Sequence, residues 1–258
     1  MSEAQSPVPE LDLELISEYY AVLERQGPGS PEATLKALSF VRDHRHISHV
    51  ADIGCGTGAH TLLLATHLTG SRITALDLLP AFIERLNINA AQAGLNDRVK
   101  GIVGSMEELP FEPDSLDMIW SEGAIYNMGF ERGLREWRAF LKTGGYLAVS
   151  ELTWLTQERP AELQDYWLAA YPEINTASAK LAQLEAAGYA PKAAFVIPES
   201  CWTDHYYAPQ VAVREAFLKK HACNPAVKAF IENDRAEAEL YERFKQYYGY
   251  VFYIGQKV

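Results

Sequence analysis

The chain has 258 residues, with 23 Lys and Arg against 34 Asp and Glu, a formal charge of -11 and a pI near 5.1. Cations so outnumbered do not build a general phosphate-backbone surface, which excludes a generic nucleic-acid binder. At 48% hydrophobic and 22% charged residues the composition is that of a globular protein, with room for one large domain or two small ones.

The amino terminus, MSEAQSPVPELDLE, is acidic, and no apolar run approaches the ~18 to 20 residues of a membrane span, so neither a secretion leader nor an inserted helix is expected. Cys55, Cys201 and Cys223 are odd in number and lack CxxC spacing, which points away from a disulfide framework or a zinc site and toward a reducing cytoplasm.

Two helices are expected first, Leu11 to Arg25 and Pro31 to His44, divided by Gln26-Gly27-Pro28-Gly29-Ser30, with Ser30 as N-cap before Pro31. His44, His46 and His49 have no acidic partners at useful spacing, so they read as a basic, solvated helix end and no metal is expected. From residue 48 to 156 short β-branched runs alternate with amphipathic stretches, the rhythm of βαβ units around a parallel sheet. His49 to Ile53 is the first strand and Ala59 to Leu68 its helix; Arg72 to Asp77 and Pro80 to Ala93 follow as strand and helix. Arg98 to Val103 and Leu116 to Trp120 are strands, Glu131 to Leu141 a helix, and Thr143-Gly144-Gly145 a turn into a fifth strand, Tyr146 to Glu151. A sixth strand runs from Gly188 to Ile197 and the last from Tyr250 to Ile254, with helices Pro209 to His221 and Pro225 to Tyr247 inserted between them.

Asp52-Ile53-Gly54-Cys55-Gly56-Thr57-Gly58 leaves a strand and opens a helix, so its glycines permit a tight turn and close approach of a ligand to the backbone. Its spacing, D-x-G-x-G-x-G, differs from the dinucleotide fingerprint G-x-G-x-x-G, and the acid at its head suits a ligand with a cationic amino group better than a pyrophosphate. The second strand ends at Asp77, 23 residues after Gly54, where a carboxylate can accept from both hydroxyls of a ribose. The bland reading of each is a steric turn and a helix-capping acid.

With those residues in place, the stretch from 48 to 156 resembles the class I S-adenosylmethionine-dependent methyltransferases. Gly104-Ser105-Met106-Glu107-Glu108-Leu109-Pro110-Phe111 is similar to the family's G-D-A-x-x-L-P-F segment, Leu116 to Trp120 to S-F-D-x-V, and Leu141 to Leu147 to L-K-P-G-G. The pattern is closest to the ubiquinone- and menaquinone-biosynthesis-like small-molecule enzymes of bacteria, although L-P-F recurs with unrelated acceptors and a quinone does not follow. The resemblance implies a Rossmann-like α/β fold: a seven-stranded, mostly parallel sheet with helices on both faces and the last strand antiparallel. It implies a helical amino-terminal lid over residues 1–46 and a methyltransferase domain over 47–258 with an insertion at about 198–247.

It also implies that Asp52, Gly54, Gly56 and Gly58 receive the methionine portion of S-adenosylmethionine, that Asp77 and Leu78 border the ribose, and that Ser105 and Met106 border the adenine. Ser105 departs from the Asp common at its position, and Thr143 replaces a proline. Tyr20 and Gly29 belong to the expected lid, which would close over the cofactor; Tyr19 and Tyr20 are equally readable as packing. Glu122, at the carboxyl end of the fourth strand, either contacts the cofactor's cationic end, orients substrate or takes a proton, or else is a salt-bridged strand-end acid.

Tyr126, Trp154 and Trp202 are the expected substrate walls, with Trp167, Tyr171, Tyr206 and Tyr207 near them; the alternative is that these rings anchor the insertion. His205, within Ser200 to Tyr207, is the candidate general base and substrate contact, the alternative being a neighbour of a helix cap. The function expected is methyl transfer to a small-molecule acceptor by in-line displacement, with S-adenosylhomocysteine released, by a cytoplasmic monomer or homodimer without membrane or nucleic-acid partners. The alternatives are a tRNA or other nucleic-acid methyltransferase, against which the charge argues, and a non-catalytic S-adenosylmethionine-binding protein.

Overall fold

The computed structural model describes residues 12–42 and 44–258; the acidic terminal stretch and the expected helix start at Leu11 lie outside the described residues. Helices α1 (Leu13–Tyr20) and α2 (Pro31–Leu38) precede an alternating core. That core is β1 (His49–Ile53), α3 (Ala59–His67), β2 (Arg72–Asp77), α4 (Pro80–Gln92), β3 (Val99–Val103), β4 (Leu116–Glu122), α5 (Phe130–Trp137) and β5 (Leu141–Trp154). Then come α6 (Ala161–Ala170), β6 (Asn175–Thr176), α7 (Ala177–Ala186) and β7 (Tyr189–Val196). The chain closes with α8 (Ser200–Trp202), a π-helical turn (Thr203–Tyr207), α9 (Ala208–Lys220), α10 (Pro225–Phe244) and β8 (Tyr248–Lys257).

The strands lie in the order β3-β2-β1-β4-β5-β8-β7, with two-residue β6 pairing with β5, so the expected seven-strand path carries one short extra strand. β1 to β5 are parallel, and β8 runs antiparallel to both β5 and β7, as the family resemblance implies. Strand order reverses between β1 and β4, which places a crevice beyond their carboxyl ends.

Alternation along the strands builds two cores. Val50, Met118, Trp120 and Ala148 point to the face covered by α3, α4 and α10, while Ala51, Ile53, Ile119, Leu147 and Val149 point to the face covered by α5 and α7. Burial on both faces is why these strands read as near-continuous apolar runs. A third, smaller cluster joins Tyr19 and Leu23 to Phe217, Val227 and Ile231, so α1 packs on α9 and α10. Amino-terminal helix and insertion therefore form one cap, tied by Tyr19 Oη donating to Gln210 Oε1 (3.0 Å) and by His221 against Glu18 (2.9 Å).

Several boundaries differ from expectation. α2 stops at Leu38, where Ser39 turns its hydroxyl onto the Lys36 carbonyl (2.6 Å), and His44–His46 form a separate 3₁₀ turn. His49 opens β1 and is no part of a helix end. Thr143-Gly144-Gly145 lies inside β5 as an irregularity, with Gly144 at φ 81° and the register with β4 shifting between Leu116 and Met118. Helices α6 and α7 occupy a stretch in which the sequence announced no element.

Candidate functional site

β1 ends at Ile53 and the chain turns through three left-handed glycines, Gly54 (φ 72°), Gly56 (φ 56°) and Gly58 (φ 91°), before α3 begins. A side chain would fit at neither of the first two: a Cβ on Gly54 would lie 2.4 Å from Ala124 Cβ, and one on Gly56 2.1 Å from Gln26 Oε1. Gly54 and Cys55 donate to the Leu76 carbonyl (2.8 and 3.0 Å), which fixes the turn against β2. Gly56 N–H donates to Asp77 Oδ2 (2.9 Å) and Leu79 N–H to Asp77 Oδ1 (3.0 Å). Each Asp77 oxygen thus holds one backbone donor and keeps a lone pair for a ligand. Burial raises the Asp77 pKa, against the opposing effect of these backbone donors.

Above this turn lies a cavity of about 710 Å³ lined by Gly54, Gly56, Asp77, Leu78, Ser105, Met106, Glu122, Tyr20 and Tyr126, and by Trp202 on its far side. That size falls in the range typical of small-molecule sites. Met106 is held by its carbonyl, which accepts from Trp137 Nε1 (3.0 Å), and Ser105 Oγ accepts from Glu107 N–H (3.2 Å).

Glu122 stands at the junction of cavity, sheet and cap. Its Oε1 accepts from Thr34 Oγ1 (2.6 Å) and Trp120 Nε1 (2.9 Å), its Oε2 from Arg25 Nη1 (3.1 Å), and its side chain is 4% exposed. Burial alone would raise its pKa, but His60, Arg25 and the donors of Thr34 and Trp120 together hold it below the ordinary glutamate value. A carboxylate so engaged is a weak proton acceptor and a good fixed charge.

Other expected residues stand off the cavity lining. Strand alternation turns Asp52 toward α3, where it is fully buried, accepting from Thr61 Oγ1 (2.5 Å) and facing His60 Nε2 (3.1 Å). It therefore supports the turn from beneath. Gly58 is the N-cap position of α3, and a Cβ there would meet Leu86 Cγ at 2.7 Å, so it serves helix packing. Gly29 lies behind the Arg25–Glu122 pair, where a Cβ would be 2.7 Å from Arg25 Nη1. Trp154 is buried under the Arg159 guanidinium (4.3 Å), away from the cavity. His205, half-buried on the π-helical turn, is absent from the cavity lining, whereas the same turn carries Tyr206 to it.

Of three further lining residues, Gln26 lies in the segment expected as a lid, while His60 and Glu237 had no sequence signal. Gln26 straps the cap to the glycine turn: its Oε1 accepts from Thr57 N–H (2.9 Å) and its Nε2 donates to Tyr20 O, Leu23 O and Thr57 Oγ1 (3.1, 3.0 and 3.1 Å). His60 lies beneath the turn, where burial opposes its charge but Asp52 and Glu122 outweigh this and raise its pKa. Glu237 of α10 reaches the far side of the cavity, accepts from Tyr207 Oη (3.3 Å) and has a pKa raised to about 7 by burial, helped by the charge of Asp234. Only its tertiary position distinguishes Glu237 from the other acids of a solvated helix.

A family model described as a methyltransferase domain matches residues 50–145. Over 105 residues the chain is 31% identical to a malonyl-[acyl-carrier protein] O-methyltransferase of Dechloromonas aromatica, covering 41% of this chain and 37% of that protein. Over 110 residues it is 36% identical to a chloroplastic 2-methyl-6-phytyl-1,4-hydroquinone methyltransferase of Oryza sativa, covering 42% and 32%. The chain thus spans about a third of the length of these relatives. In fold it is similar to a methyltransferase from Geobacter sulfurreducens solved with S-adenosylhomocysteine (TM-score 0.82, 18% identity, 96% of this chain and 99% of that one). It is also similar to the [4+2]-cyclase SpnF (TM-score 0.70, 21% identity, 97% of each chain).

Proposed function

We propose that the protein moves the methyl group of S-adenosylmethionine to a small-molecule acceptor and releases S-adenosylhomocysteine, a reading supported by the match of residues 50–145 to a methyltransferase-domain model and by the likeness to methyltransferases. The observation that carries this reading is one cavity with two unlike halves, a carboxylate-rimmed glycine turn on one side and an aromatic wall on the other.

The residues fit the nucleoside. Gly54 and Gly56 turn the backbone into a cradle too tight for a Cβ, which would meet Ala124 and Gln26, and Asp77, in the cavity lining, keeps lone pairs for two ribose hydroxyls. Leu78 is 59% exposed and Met106 lines the same side, giving apolar surface for a base. Glu122 supplies negative charge for an ammonium group. The cavity's five acidic side chains, Glu24, Asp77, Glu107, Glu122 and Glu237, outnumber Arg25 and His60, which suits a ligand of net positive charge carrying both a sulfonium and an ammonium group. When bound, S-adenosylmethionine supplies a methyl carbon on a good leaving group.

What this chain contributes is alignment and exclusion of water. The segment from α1 to α2 acts as a lid: Arg25 and Thr34 grip Glu122 and Gln26 grips Thr57, so opening breaks these bonds. Among the described residues no helix is long and apolar enough to cross a membrane. The net charge of -11 favours a small acceptor over nucleic acid.

Purified protein incubated with methyl-labelled S-adenosylmethionine and a metabolite extract tests the reading. Label is expected in low-molecular-weight products. Label in tRNA, or binding with no transfer, would contradict it; the likeness to a cyclase is a reminder that this fold also serves other reactions.

A further inference from the structure

The far half of the cavity has a distinct chemistry. Tyr20, Trp202, Tyr206 and Tyr250 line it, each buried or partly buried, and Glu237 is the acid among them. Its two basic lining residues lie elsewhere and are engaged, Arg25 with Glu122 and His60 with Asp52. Among the described residues that line the cavity there is no further cation to meet a carboxylate or phosphate of an acceptor. Aromatic rings around a carboxylate instead make a surface that attracts organic cations, through the quadrupole of the rings and the charge of the acid. Trp202 is fixed by stacking on Tyr241 (4.4 Å between centroids, 13° between planes), so the wall is rigid. Tyr250 stands against the carboxyl end of β4, next to Glu122: a Cβ on Gly123 would come within 2.9 Å of its ring.

Resting on the reading of the cavity as a methyl-transfer site, we propose that its acceptor is an amine, seated among Tyr20, Trp202, Tyr206 and Tyr250 with its nitrogen against the Glu237 carboxylate. Such an amine arrives as an ammonium ion and has no lone pair to share. Glu237 accepts the ammonium proton; the freed nitrogen lone pair forms the N–C bond as the C–S bond breaks, its electron pair staying on sulfur. The positive charge passes from sulfonium to the methylated ammonium, which the same rings and carboxylate hold.

Glu237 suits this task better than any other acid of the cavity. Glu122 and Asp77 are occupied by three and two donors, whereas Glu237 has one, Tyr207 Oη at 3.3 Å. The neighbouring acid on its helix, Asp234, pairs with Arg214 of α9, and its charge still raises the Glu237 pKa more than the Arg214 charge lowers it. With its pKa raised to about 7, the carboxyl takes up a proton near neutrality, which a carboxylate at the usual value does poorly.

The test is calorimetry on the full chain saturated with S-adenosylhomocysteine, titrated with choline and with its uncharged isostere 3,3-dimethylbutan-1-ol. Choline is expected to bind at least about tenfold more tightly. In Glu237→Gln, checked for folding by circular dichroism and thermal unfolding, that preference should fall to about threefold or less. Equal affinity for the two probes in the wild-type protein overturns the amine assignment without need of any variant, and so does a preference that survives in Glu237→Gln. The preceding titration keeps the two readings apart. If S-adenosylhomocysteine gives no heat, the cofactor reading falls and this proposal with it; if it binds and choline shows no preference, only the amine falls.

Discussion

Replacing Glu122 by glutamine separates the charge of this residue from its shape. The glutamate accepts from Thr34 and Trp120 on one oxygen and from Arg25 on the other. A glutamine that keeps the first two turns its NH₂ onto the guanidinium, donor against donor; one that keeps Arg25 turns it onto Thr34 and Trp120. Arg25 is 7% exposed on its side chain, so water offers little relief. Breaking a buried pair this way costs about 3–5 kcal/mol, and with a urea dependence of roughly 3 kcal/mol per molar the unfolding midpoint should fall by about 1 to 1.7 M. Tryptophan fluorescence during urea unfolding at pH 7 measures it. The pH dependence gives a second reading. A carboxyl whose folded pKa is depressed, as here, stabilises the fold above its unfolded value of about 4.3 and loses that contribution as pH falls through the folded value. The gap between wild type and Glu122→Gln should be full at neutral pH and close on acidification below about pH 4. Coincident midpoints at pH 7, or a gap that persists in acid, would refute the assignment of Glu122 as the charge that pins the cap.

Gly54→Ala places a Cβ 2.4 Å from Ala124 at a φ of 72°, so S-adenosylhomocysteine affinity should fall at least about tenfold while the sheet still unfolds cooperatively; unchanged affinity in a titration would contradict the cradle. Gln26→Ala removes two hydrogen bonds from cap to glycine turn, with Thr57 N–H and Thr57 Oγ1, and two within the cap, to Tyr20 O and Leu23 O, worth about 0.5–1.5 kcal/mol each, and hydrogen exchange of α1 amides should accelerate by at least tenfold or so; equal protection would show that the strap does not hold the lid. His60 carries a raised pKa, so its contribution is full below about pH 6.5 and is lost as pH rises through the folded value. In His60→Gln that alkaline loss of stability should disappear, and in the wild type the imidazole should titrate above the free value by NMR.

What the sequence disclosed was local. The glycine turn and Asp77 are legible because a strand end, a tight turn and a helix start are contiguous in the chain. The order of the parallel strands follows from their βαβ rhythm, and the reversed last strand from the family resemblance. Asp52 is the penultimate residue of β1, and alternation along that strand turns its carboxylate toward His60 and Thr61 beneath the turn, which its place in the motif does not reveal. Arg25 and Gln26 fall in the segment expected to close over the cofactor, but Glu237 reaches the cavity through the insertion, on which α1 packs in a contact between segments about 200 residues apart that no spacing announces. On the π-helical turn Tyr206 lines the cavity and its neighbour His205 does not, a distinction its polar sequence neighbours do not carry.

The claim on which the rest depends is that the glycine turn and Asp77 seat the nucleoside of S-adenosylmethionine. Titration calorimetry of the full chain with S-adenosylhomocysteine tests it most directly, with Asp77→Ala as the paired variant. Two hydrogen bonds to an ionised carboxylate are worth about 1.5–3 kcal/mol each, so a single saturable site is expected in the wild type and a loss of at least about 100-fold in the variant. No heat from the folded wild-type protein with either form of the nucleoside, or equal affinity in Asp77→Ala, would contradict it.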